Sequence, residues 1–403
     1  MKKLIGKSAG VVLASGALAS LAIAQEEYPD RFSIGASIQQ LWDSNYSRTP
    51  EEEEEEITIS AASVRFAHKI SRQDFKVNWQ VMRYDHNERI DLDATINEGS
   101  ALWQGEWGRR FSTEVSWIRD SYLVDRLEFF DKDIVERDDV SGKIVYGTGH
   151  RMTFGVGARQ GKQTHSNWQR EGLDYEEDEV FVEIGYQTGI NSTVTARFKD
   201  GERTYPNDVA VVVPPGLEPD PIVDPSFEDI RFGELDYDYQ QAELEINWAA
   251  SEKTNIIANL GYFNRDGVRN TGSGMQTGIE INWEMTPKVA LAGGYSYKQP
   301  AIGETSDSPA EIHTVFFDAT WQWTEKLSLA TGARYSEFEY ATWNSPGPSR
   351  NESLYQISPL KINFAVADYL SMRFTSNWTD RESPLVYRDY TATQLALGAF
   401  FRF

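Results

Sequence analysis

The chain has 403 residues, no cysteine, and 62 acidic against 39 basic side chains, for a formal net charge of -23. The missing thiols exclude a disulfide framework, a cysteine-based metal site and a lipidated N-terminal cysteine, and the acidic excess argues against nucleic acid as a partner. A mean hydropathy of -0.52 leaves a membrane protein open, because a strand that alternates lipid-facing and lumen-facing residues averages to a soluble-looking value.

At the N-terminus, Lys2, Lys3 and Lys7 precede an apolar stretch over residues 11–23, and Ala22-Ile23-Ala24 supplies a small-residue cleavage pattern. This predicts a signal peptide over 1–24 and an exported remainder over 25–403. The apolar stretch falls short of the roughly 20 residues that a spanning helix needs. No later run is long enough either, so any crossing of a bilayer falls to strands.

From residue 31 onward the chain repeats one unit, two alternating strands joined by a short turn, which is the pattern of a meander. In the clearest copy Val315, Phe317, Ala319, Trp321 and Trp323 alternate with Phe316, Asp318, Thr320 and Gln322. The turn Thr324-Glu325-Lys326 follows, and then Leu327, Leu329, Thr331, Ala333 and Tyr335 alternate with polar or small residues. Similar turns are predicted at 70–72, 108–110, 148–150, 188–190, 251–253, 286–288 and 367–368. Between them lie long polar connections at 51–56, 131–139, 169–179, 207–231 and 343–351. Tight turns at one end and long loops at the other are the asymmetry of outer-membrane barrels.

Sixteen strands joined by these turns, with a first strand over 31–46 and a last over 390–403, predict an all-β, up-and-down antiparallel transmembrane barrel of about 18 strands. Its expected location is the outer membrane of a Gram-negative cell, with both termini on the periplasmic side. A soluble sandwich would also alternate. However, Trp79, Trp107, Trp117, Tyr186, Trp248, Tyr262, Trp283, Tyr295, Trp323 and Trp378 stand where two interfacial girdles belong. The opposite face is expected to be a file of Gly, Ser, Thr, Asn, Glu and Arg. A sandwich of that composition would bury charge or expose broad apolar area.

At the C-terminus Leu395, Leu397, Ala399, Phe401 and Phe403 share one face and end the chain in Phe. Leu397, Phe401 and Phe403 are therefore read as an assembly signal for the barrel-insertion machinery. The phrases INWEMTPKVALAGGYSYK, ATWQWTEKLSLATGARYSEFEY and INFAVADYLSMRFTSNWTDRE, followed by LALGAFFRF, resemble the family of outer-membrane proteins known as β-barrel porin 2. The likeness is best over 234–403. It implies a porin-like channel, in some members associated with exopolysaccharide. The run Glu51 to Glu56 and the Pro-rich 206–225 depart from the family pattern.

If the apolar set meets lipid, its sequence neighbours meet the lumen. The expected pore-lining residues are Arg65, Lys76, Glu114, Arg159, Glu183, Arg197, Glu243, Glu245, Glu280, Asp318, Arg334 and Arg373. The acids on the strands of Glu243, Glu245 and Glu280, set against Arg334, Arg373, Arg381 and Arg402, suggest either a transverse field across the lumen or, as the weightier alternative, scattered ion pairs that keep the lumen wet and stiff. The run 51–56 is expected to be solvated, with weak binding of divalent cations beside lipopolysaccharide as one option. The segment 206–225 is expected to be a long loop.

The activity expected is passive passage of hydrophilic solutes, or of a polysaccharide chain sliding along aromatics such as Tyr84 and Phe316. A non-conducting structural or adhesive barrel is the alternative. An outer-membrane hydrolase is a weaker one, since His165-Ser166-Asn167 are neighbours on extended chain and a catalytic triad is assembled by geometry. No catalytic residue, metal ligand set or cofactor is assigned. The expected partners are outer-membrane lipid and lipopolysaccharide, the barrel-assembly machinery, and hydrophilic solutes or polysaccharide.

Overall fold

The computed structural model describes residues 31–189, 191–208, 233–304, 309–340 and 350–403. The predicted segments at 1–24 and most of 207–231 and 343–351 lie outside them. Eighteen strands run in chain order: β1 (Arg31–Asp43), β2 (Glu55–Ile70), β3 (Gln73–His86), β4 (Ala94–Trp107), β5 (Phe111–Leu123), β6 (Ile134–Tyr146), β7 (Met152–His165), β8 (Tyr175–Gln187) and β9 (Thr193–Thr204). The second half continues with β10 (Tyr237–Ala249), β11 (Thr254–Gly267), β12 (Gly272–Thr286), β13 (Val289–Lys298), β14 (Glu311–Gln322), β15 (Leu327–Tyr340), β16 (Arg350–Ala367), β17 (Leu370–Glu382) and β18 (Tyr390–Arg402).

Each strand pairs antiparallel with its chain neighbours, and β1 closes the sheet on β18 from Gly35 opposite Arg402 to Asp43 opposite Gln394. Closure is what a bilayer demands, since an unpaired sheet edge in hydrocarbon leaves polar groups unsatisfied at several kcal/mol each. The tight turns fall where the sequence places them, except that residue 190 of the turn at 188–190 lies outside the described residues. Ser71 and Gly108 take positive φ in two of the turns, which lets the chain reverse within a few residues.

The two faces differ in kind. On β8, Val180, Val182 and Ile184 point outward with about half their surface exposed, at 58%, 54% and 49%. Their neighbours Tyr175, Glu177 and Glu179 on the other parity are buried. The register carries the same parity around the barrel and makes the outward band apolar and aromatic. In its upper part Trp79 and Trp117 stack at 5.8 Å across Gly99. A Cβ at Gly99 would lie 2.7 Å from the Trp79 ring, so only glycine leaves that slot open. The chain is a transmembrane β-barrel of the outer-membrane type, and its location is the outer membrane.

Three expectations need correction. The strands are longer than predicted at the loop end: β6 begins at Ile134 and β8 at Tyr175, inside the connections expected over 131–139 and 169–179. Strands of 10 to 18 residues exceed the roughly 9–11 that cross a bilayer, so their upper parts stand clear of lipid. There the outward face also turns polar, with Arg83, Asp85, Arg119, Asp138, Glu176, Asp178, Glu202, Asp238 and Asp266.

Second, β1 stops at Asp43, and residues 44–47 turn inward. Third, the inner face is not uniformly polar. Leu41, Ile57, Ile59, Met82, Tyr84 and Ile96 project inward at the loop end and bury Tyr46 and Leu92 from the loops. Each fully buried aliphatic side chain there stabilises the fold by roughly 1.5–3 kcal/mol.

The polarity of the wall gives a direct expectation. Val182→Arg, at mid-depth on the outward face, is expected to cost about 2–4 kcal/mol of folding stability in lipid, whereas Asn247→Arg, inward on β10, is expected to cost far less. Reversible denaturant unfolding in vesicles measures both.

Candidate functional site

The inner wall of β6–β11 carries the densest arrangement of charge. The register sets Glu183, Arg197 and Glu243 side by side on β8, β9 and β10. Arg197 donates to Glu183 Oε2 from Nη2 at 2.9 Å and to Glu243 Oε2 from Nη1 at 3.4 Å. One step toward the loops, Lys199 Nζ lies 2.9 Å from Glu243 Oε1 and 3.8 Å from Glu179 Oε2.

Higher again, the Tyr239 hydroxyl reaches over β9 to Glu177 at 2.8 Å and Glu179 at 2.9 Å. It can do so because Gly201 stands between: a Cβ there would meet the Tyr239 ring at 2.8 Å. Arg203 pairs with Glu177 at 3.1 Å and Glu304 at 3.2 Å, and Arg159 bridges Glu177 at 3.2 Å and Asp139. Arginine faces lie on rings, with Arg203 4.3 Å from Tyr175 and Arg265 4.1 Å from Phe263. The result is a ladder of acids and guanidinium groups that climbs the wall from mid-depth to the loop end.

Four of the expected residues, Arg159, Glu183, Arg197 and Glu243, meet in or beside this ladder, and Glu245 lies one inward step from Glu243 on the same strand. The others are dispersed around the wall. Lys76 is 3.4 Å from Asp74, Glu114 accepts from Gln104 at 2.7 Å, and Glu280 accepts from Asn282 at 2.7 Å. Arg334 lies over Phe316 at 5.9 Å and Arg373 over Phe400 at 4.8 Å. Asp318 faces Gly332 across the β14–β15 pair, and Arg65 faces Asn78 across β2–β3.

Two members of the expected transverse field, Glu243 and Arg381, have local partners of opposite charge. Glu243 is neutralised by Arg197 and Lys199, and Arg381 is buried against Glu352 and the Tyr340 hydroxyl. Glu352 itself is fully buried and also takes Arg350 and Arg388, each at 3.1 Å. Tyr84 is not free to contact a sliding polysaccharide, because it lies inside the apolar cluster at the loop end.

The loops fold back over this end of the wall. Asp43 receives both terminal nitrogens of Arg48, at 2.9 and 2.7 Å, and Gln394 at 2.7 Å, while Asp125 lies 3.7 Å from Arg48. Burial favours the uncharged form of Asp125 and pushes its carboxyl up, and the Arg48 charge opposes that shift only in part. Phe129 is buried under Arg170, which pairs with Glu128 at 2.6 Å and Asp133 at 3.3 Å.

The glutamate run is not wholly solvated either. Glu55 is buried and accepts the backbone N–H groups of Asn87, Glu88 and Arg89 at 2.8–3.1 Å, tying the first loop to the second. Glu56 accepts from the Trp42 indole at 3.0 Å, and residues 51–54 are exposed.

His165 Nδ1 is 2.9 Å from Asp174, but the Ser166 hydroxyl donates to Asp133 at 3.2 Å, so His165-Ser166-Asn167 do not form a nucleophile and base. Among the described residues, no three His, Asp or Glu side chains converge as a metal site.

No family model matches the sequence, and no curated protein is similar enough in sequence to be matched. The fold has solved counterparts. The crystal structure of Pseudomonas aeruginosa OpdQ superposes with a TM-score of 0.50 at 8% identity, covering 92% of this chain and 98% of that one. Pseudomonas aeruginosa OpdL gives 0.49 at 6% identity over 92% and 98%. Acinetobacter baumannii OccAB3 gives 0.49 at 8% identity over 92% and 99%. At such identities the likeness is one of fold.

Two substitutions test the packing of the wall. Gly201→Leu is expected to displace Tyr239 from both glutamates and to cost about 1–3 kcal/mol by overpacking. Glu352→Gln is expected to cost about 3–5 kcal/mol, because a buried carboxylate shared by three guanidinium groups is lost. The unfolding midpoint in detergent reads both, and an unchanged midpoint for either variant contradicts the assigned contacts.

Proposed function

We propose that the chain is a porin-like channel that passes small hydrophilic solutes passively across the outer membrane and performs no chemistry on them. The observation that carries this reading is the inner-wall ladder from Glu183, Arg197 and Glu243 up to Arg203 and Glu304. At mid-depth its groups, Glu183, Arg197, Lys199 and Glu243, are paired with one another but partly open to the lumen, while Glu177 and Arg203 above them are buried, so a passing polar solute can exchange contacts along the open steps without one tight site. An 18-strand wall encloses more cross-section than its own side chains fill, and the fold likeness to solved barrels agrees with a conduit.

In this reading the twelve inward residues, Arg65 through Arg373, line the pore, and the loops packed at 44–48, 87–93 and 124–133 narrow its outer mouth. Residues 1–24 direct export, and the face of Leu397, Phe401 and Phe403 guides insertion by the assembly machinery. The outward acids above the lipid band stand at the height of lipopolysaccharide head groups. A polysaccharide chain is the weaker cargo, since the aromatic surface it would slide along at Tyr84 is occupied by protein.

Refolded protein in a planar bilayer is expected to give stable conductance steps. Glu183→Gln combined with Glu243→Gln is expected to shift the reversal potential in a salt gradient toward anion selectivity, because the cations on Arg197 and Lys199 lose their partners. A barrel that inserts but carries no current, or a reversal potential unmoved by the double substitution, contradicts the reading.

A further inference from the structure

Among the described residues, every buried arginine at the loop end but one faces a carboxylate: Arg48 has Asp43, Arg170 has Glu128 and Asp133, Arg203 has Glu177, and Arg381 and Arg388 share Glu352. The exception is Arg126. It is 7% exposed, and its Nε, Nη1 and Nη2 are all buried without a hydrogen-bond acceptor. Its guanidinium instead lies 4.6 Å from the Phe130 ring centroid, and a second guanidinium, that of Arg89, lies 5.7 Å from the same centroid.

Arg89 is held in place by a two-point pair with Asp91 at 3.1 and 2.9 Å. Burial and the like charge of Arg89 both lower the Arg126 pKa, and the charges of Tyr46, Asp91 and Asp131 offset this only in part. A cation stripped of water and left without an acceptor is costly. In a chain with 62 acidic residues, an acid to relieve it would have been easy to place.

We infer that Arg126, with Arg89 across Phe130, is a binding site for an oxyanion, a carboxylate or phosphate group borne by a solute entering the channel. The segment that carries it is built to hold a fixed direction. Leu127 N–H donates to the Asp125 side chain at 2.9 Å, and the N–H groups of Glu128 and Phe129 donate to the Asp125 carbonyl at 2.9 and 3.1 Å. Asp125 meets Arg48 on one side, while Asp133 closes the segment by accepting from Asn167 N–H at 3.0 Å. Arg126 is thereby fixed at the mouth by both ends of its loop.

Because its nitrogens are covered, the oxyanion enters as Phe130, itself 44% exposed, swings aside. The guanidinium then exchanges a ring face for charge-assisted hydrogen bonds, which are stronger. The identity of the ligand as a permeating solute rests on the channel reading; the site itself does not.

The test uses the full mature chain, refolded free of lipopolysaccharide in detergent, and titrates inorganic phosphate and acetate calorimetrically against the parent, Arg126→Met and Arg126→Lys. The parent is expected to bind at least one of the two probes saturably. Arg126→Met is expected to weaken that binding by roughly tenfold or more, the loss anticipated for hydrogen bonds to a charged group, and Arg126→Lys to recover part of it. The melting temperature of Arg126→Met is expected to hold or rise, because an unpartnered buried charge has been removed.

A structural arginine would give the reverse, a lower melting temperature with unchanged binding, and that result overturns the inference. So does the absence of saturable binding of either probe by the parent. Added lipopolysaccharide is expected to leave the binding unchanged; competition by it would reassign the oxyanion to a lipid phosphate and overturn the solute assignment. Binding is read without current, so a barrel that binds but does not conduct refutes the channel and keeps the site, and one that conducts without binding does the opposite.

Discussion

A backbone in hydrocarbon has no water to satisfy its N–H and C=O groups, and in this chain each spanning strand finds its partners only in the two strands beside it. That requirement forces β1 onto β18 and fixes the register of every strand between. It also decides which side chains can meet, since neighbours in the same row are about 5 Å apart and neighbours along a strand point to opposite sides. The Glu183, Arg197 and Glu243 row is a consequence of the ladder of backbone hydrogen bonds, as is the Trp79 and Trp117 stack over Gly99 on the other side of the wall.

Strand length then divides the barrel by height. Where the outside is lipid, apolar and polar residues alternate cleanly. Above the lipid both faces are wet or packed against loops, and the contrast fades. The register in that region places Asp178, Glu202, Asp238 and Asp266 side by side on four successive strands facing outward, while the same strands turn Glu177, Arg203, Tyr237 and Tyr239 inward. The chain's large negative charge is thus partly displayed outside and partly neutralised within.

This division explains what could be read from the sequence. The eight turns and the strand order were legible because lipid imposes period-two alternation and tight turns need particular residues. The upper strands were not. Glu176 and Asp178 are as acidic as Glu177 and Glu179, so YEEDEV reads as a polar loop although it is strand, and the half of the ladder built on Glu177 and Glu179 was missed with it. Ile57, Ile59 and Met82 share the parity of Arg65 or Lys76 and so belong to the inner face. The residues they bury, Tyr46 and Leu92, come from separate loops, and no local pattern announces that contact. Arg126 carries no sequence signal at all; its lack of an acceptor emerges only when the other arginines of the loop end are seen with theirs.

One wall with two chemically different sides underlies the whole barrel. Because the chain has no cysteine, single cysteines introduced along β8 at Phe181, Val182, Glu183 and Ile184 report on that wall without background. In vesicles, a membrane-impermeant, water-soluble maleimide is expected to label the cysteines at 181 and 183 and to spare those at 182 and 184. Equal labelling at all four, or labelling of the opposite pair, would contradict the account.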